Sequence, residues 1–132
     1  VVSQEVGMLL NFYAGWVAFL AGIVAGAVSG LKFYSEDFLG GYGSWRRRMV
    51  RLAHIAFFGL GLINLAFALT ARSLNITTGL SLASILLVVG VITMPLVCYS
   101  AAYRPKLRNL FFIPVFSVLL ATAIMLWRMV SL

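Results

Sequence analysis

Residues 78–99 read TGLSLASILLVVGVITMPLVCY, a run of 22 positions without one charged side chain. At a rise of about 1.5 Å per residue, a helix of this length crosses the roughly 30 Å of hydrocarbon in a bilayer. No water is present there to bond exposed amides, so a segment this long and apolar is stable only as a helix that closes its own hydrogen bonds. Working outward, three further stretches read the same way: Val6 to Leu31, Val50 to Ala71 and Asn109 to Val130. The fold expected is therefore all-α, an integral membrane four-helix bundle forming a single transmembrane domain over residues 1–132, with helices at about 6–31, 50–71, 78–99 and 109–130.

Composition points the same way. The chain is 63% hydrophobic and only 10% charged, and its mean hydropathy is +1.06. Soluble domains carry about 25% charged residues. One of this length would bury only about two thirds of the surface of its unfolded chain, leaving apolar side chains facing water. Soluble enzyme folds are excluded on this ground. A cleavable signal peptide would show a basic leading segment and an apolar core of roughly 7–15 residues. Residues 1–5 instead carry Glu5 and no base, and the apolar run that follows is longer, so the first span is expected to be uncleaved.

Orientation is read from the cations. Lys32, Arg46, Arg47, Arg48, Arg51, Arg104, Lys106 and Arg108, eight of ten, flank the first and third connectors, and only Arg72 and Arg128 fall opposite. Lys and Arg near span ends accumulate on the cytoplasmic side. Both hairpin tips are thus expected in the cytoplasm and both termini outside, in the cell (inner) membrane. The net charge of +7 is concentrated in these two juxtamembrane clusters, which suit anionic lipid head groups. No separate basic domain is present, so no nucleic-acid partner is expected. Trp45, Trp127, Tyr34, Tyr42, Tyr99 and Tyr103 sit at span ends, where amphipathic rings favour the head-group zone. Trp16 lies about ten residues into the first helix and is read as core or lipid-facing packing rather than as a stacking residue. Pro95 and Pro114, near the cytoplasmic ends of helices three and four, remove backbone donors and are expected to bend those axes.

Two features speak to assembly. Ala18, Gly22, Gly26 and Gly30 recur at four-residue spacing, a ridge of small side chains along which another backbone can approach closely. The ridge faces helix two or four of this chain, or a helix of another subunit. Asn11 and Asn64 fall at similar depth near the outer side, where a hydrogen bond between them would fix the register of the first hairpin.

Ionisable residues inside a membrane are the default functional candidates. The acids are Glu5, Glu36 and Asp37, all outside the spans, which argues against an ion-coupled transporter. His54 is the single histidine. With Arg51 and Met94 as neighbours it is the candidate cofactor-binding residue, as a ligand to haem or a pigment or as a contact to a quinone; a neutral structural histidine is the commoner role. Cys98 is the single cysteine, and no catalytic constellation or metal cluster can be assembled. Asn75-Ile76-Thr77 matches a glycosylation sequon, a weak pattern in a short connector. The function expected is an accessory or structural subunit of a larger membrane complex, such as a bacterial respiratory or photosynthetic one, partnered by other membrane subunits. The alternatives are a redox module built on His54 and a small oligomeric channel lined by Asn11, Asn64, Ser81 and Ser84.

Overall fold

The computed structural model describes residues 2–132, apart from the side chains of residues 2–4 and 6. Four α-helices follow in order: α1 Val2–Phe33, α2 Trp45–Ser73, α3 Ser81–Tyr103 and α4 Phe112–Val130. Short 3-10 segments at Phe38–Gly40 and Pro105–Phe111 lie in the first and third connectors. Each of the four helical segments contains a stretch long and apolar enough to cross a membrane, the pattern of a multi-pass membrane protein.

The helices overrun the hydropathy boundaries where polar residues still favour helical backbone. α2 begins at Trp45 and not Val50, because Ser44 caps it: its Oγ accepts from the Arg47 amide at 3.1 Å, meeting one of the donors left over at a helix start. The other end of α2 closes as a Schellman turn. Asn75 takes a positive φ of 52°, the Ile76 amide donates to Ala71 O at 2.9 Å and the Asn75 amide to Arg72 O at 3.2 Å. This geometry favours Gly or Asn at the turning position, and it gives Asn75 a structural task. α3 continues through Ala101 and Ala102 to Tyr103, with Pro95 in its interior. Pro114 falls in the first turn of α4, directly after the 3-10 segment, a position where its fixed φ suits a helix start.

α1 packs along α2 and, over a shorter length, against α3; α2 packs on α3, and α4 docks chiefly on α3. The interior is built from small side chains. Ala53, Ala68, Ala83, Cys98, Ala101 and Ala121 are all fully buried, letting backbones approach so that dispersion can hold helices together. One cluster joins Phe67 and Ala71 to Leu80, Ala83, Ala121 and Met125, and a second joins Ala18, Ala56, Leu60 and Val91. Gly90 of α3 admits Val118 of α4, whose Cγ2 would lie 2.5 Å from a Cβ at position 90.

Candidate functional site

Three polar side chains meet inside the bundle. Asn11 Nδ2 donates to Asn64 Oδ1 at 2.7 Å and to Ser84 O at 3.3 Å, while Asn64 Nδ2 donates to Leu60 O at 2.9 Å and Leu87 O at 3.3 Å. The Ser84 hydroxyl has Asn11 Oδ1 at 2.5 Å and Gly7 O at 3.2 Å as acceptors. Each amide nitrogen has two protons to give, and each finds two acceptors. Asn11 and Asn64 are fully buried. The layer therefore ties α1, α2 and α3 together and leaves no side-chain donor aimed at open space.

The small-residue ridge of α1 lies against α2 of the same chain. A Cβ at Gly22 would meet the Phe58 ring at 2.8 Å, and one at Gly61 would meet Ala18 Cβ at 3.1 Å. The backbones come close at Gly15 and Gly61: a Cβ at Gly15 would stand 2.9 Å from Gly61 O. Gly30 has nothing within 4 Å. The contact seam thus runs Gly15, Ala18, Gly22, Gly26, one turn nearer the N-terminus than the Ala18-to-Gly30 ladder. Gly15 escapes the strict four-residue count because helical faces repeat at three as well as four.

His54 sits in this seam. Its Cδ2 and Cε1 would each lie 3.1 Å from a Cβ at Gly26, with Nε2 nearer still, and its ring meets Phe58 edge-on with centroids 5.3 Å apart. Nε2 therefore points at the α1 backbone. Met94 packs with the Ala18, Ala56, Leu60 and Val91 cluster. Arg51 reaches the first connector, with its guanidinium 4.5 Å from the Tyr42 ring centre and Nη2 donating to Tyr42 O at 3.3 Å.

The end of the bundle carrying most cations is more organised than charge counting suggests. Arg47 is buried, donates through Nη2 to Phe33 O and stacks 4.6 Å from the Phe33 ring. It caps the last turn of α1, where unpaired carbonyls and the helix dipole favour a cation. Trp45 Nε1 donates to Ala101 O at 2.7 Å, the carbonyl that residue 105 would bond in a continuing helix were it not proline. Neither role is visible in sequence, since both partners are backbone atoms distant along the chain. No cation forms an ion pair among the described residues.

α1 presents a third face to its surroundings through Trp16, Leu20 and Ile23, which are 65%, 62% and 60% exposed. Trp16 lies four residues, about 6 Å, from the middle of the Gly7–Phe33 apolar stretch. Its ring touches Phe19 edge-on at 5.6 Å, and its indole N–H has no acceptor among the described residues. Free Cys98 is fully buried.

The chain matches no protein-family model, no curated protein and no solved structure.

Proposed function

We propose that the chain is an accessory subunit of a larger membrane complex, without chemistry of its own, and that a helix of a neighbouring subunit covers the Trp16, Leu20 and Ile23 face of α1. The observation that carries this reading is Trp16. Tryptophan favours membrane interfaces, where its N–H reaches water or head groups. Here it projects from mid-span with its N–H unmet, and hydrocarbon offers no acceptor, so a polar group left there is costly. A partner helix bearing a hydroxyl, amide or free carbonyl would satisfy it. The polar layer adds support, because Asn11, Asn64 and Ser84 bond one another and backbone carbonyls instead of lining a path as a channel would require. A haem ligated through His54 Nε2 ranks lower, since that nitrogen faces the α1 backbone at Gly26.

The cation distribution supports the finer placement: the end bearing Arg46, Arg47, Arg104 and Lys106 faces the cytoplasm, with both chain ends on the other side of an inner membrane. The test of the proposal is purification from native membranes in a gentle detergent, with mass spectrometry of co-migrating chains and a reduced-minus-oxidised absorption spectrum. Partners in fixed stoichiometry, with no absorbance following this chain, support it. A chain running alone, or carrying a haem or pigment band, contradicts it.

A further inference from the structure

Two cavities stand in line along one side of the bundle. The first, about 470 Å³, is an apolar groove between α1 and α3. Val17 and Ala21 form one wall, Ile92 and Leu96 the other, Phe57 of α2 lies between them, and Tyr99 closes the end nearer the cations. The second, about 360 Å³, lies at the cationic end and is bordered by Trp45, Arg46 and Tyr103. Helical periodicity aligns them. Arg46 precedes Phe57 by eleven residues, three turns of α2, and Tyr103 follows Tyr99 by one turn of α3, so the second cavity continues the line of the groove along the helix axes.

We infer that these cavities form one binding site for an anionic phospholipid, with an acyl chain in the α1–α3 groove and the phosphate at Arg46. The groove offers only apolar walls and opens outward past Val17 and Leu96, 63% and 57% exposed, where a bilayer supplies slender hydrocarbon chains. Charge complementarity selects the head group. The Arg46 side chain makes no hydrogen bond and no ion pair among the described residues. It is held 5.8 Å from the Tyr103 ring centre, which leaves its fork of donors free for a phosphate. Trp45 beside it is fixed through Ala101 O, so the cavity wall is set before a ligand arrives. Basic pockets between membrane helices bind anionic head groups by this chemistry. The inference stands apart from the accessory-subunit reading, since the groove occupies a different face of α1 from Trp16.

The experiment is native mass spectrometry of the full chain, delipidated and then offered phosphatidylglycerol or phosphatidylcholine with identical acyl chains. Phosphatidylglycerol should be retained about fivefold more, the preference one near-surface cation supplies. Arg46→Gln should abolish that preference, and Arg48→Gln, which alters an exposed cation outside the cavity, should leave it intact. Ala21→Phe fills the groove and should reduce retention of both lipids; Val17→Trp, at the exposed rim, serves the same end where Ala21→Phe does not fold. Equal retention of the two lipids, equal effects of Arg46→Gln and Arg48→Gln, unchanged retention in the groove variants, or displacement of the lipid by inorganic phosphate would each overturn the proposal.

Discussion

Asn11 of α1 donates to Asn64 of α2 across 2.7 Å in a site from which both side chains are fully shielded. One slip of register along the α1–α2 seam would break this bond and push an amide into hydrocarbon. The pair therefore specifies the alignment that also sets Gly15 against Gly61 and Gly26 against His54.

The strength of that link is measurable by a double-mutant cycle. Asn11→Ala, Asn64→Ala and the double variant, unfolded reversibly in mixed micelles, should show a coupling of about 0.6–1.7 kcal/mol, between the average and the maximum for hydrogen bonds between membrane helices. Strict additivity would place the two amides in independent roles.

The seam makes a graded prediction. Gly26→Ala should cost about 1–3 kcal/mol by overpacking, and His54→Ala in the same chain should recover most of the loss, because the obstacle is one side chain. Gly15→Ala should be as harmful but resist rescue by Leu65→Ala, since the Gly61 carbonyl is also in the way at 2.9 Å. Gly30→Ala, with nothing within 4 Å, should stay within about 0.5 kcal/mol of the parent. Thermal denaturation in detergent separates the three cases.

Topology is open to thiol labelling because the native Cys98 is fully buried. An impermeant maleimide applied to intact cells should modify Thr77→Cys, in the α2–α3 connector. It should spare Glu36→Cys, in the α1–α2 connector, until the membrane is opened. The reverse pattern would invert the orientation argued from the cations.

How far the sequence discloses this arrangement depends on the range of the interaction. Four spans follow from hydropathy alone, because the bilayer acts on each segment separately. The Asn11 and Asn64 relation follows from counting depth along two adjacent antiparallel helices. The seam is legible only in part: small residues mark a ridge, but which of them meets a neighbour depends on where the helices cross. The backbones come close at Gly15 and Gly61, while Gly30 has nothing within 4 Å. Helix starts and stops were obscured because hydropathy scores the arginines of residues 46–51 as exterior, whereas Ser44 starts a helix there regardless of charge. The capping of Phe33 O by Arg47 and of Ala101 O by Trp45 links side chains to distant backbone, a pairing no local pattern encodes.

The outer face of α1 carries the central claim, that another subunit covers it. The most direct measurement is photo-crosslinking in native membranes from a benzoylphenylalanine placed at position 16, with position 119, a 61% exposed leucine of α4, as the comparison. Position 16 should give one discrete adduct with a different membrane polypeptide, absent or much weaker from position 119. Adducts with lipid alone, or only with a second copy of this chain, would contradict it.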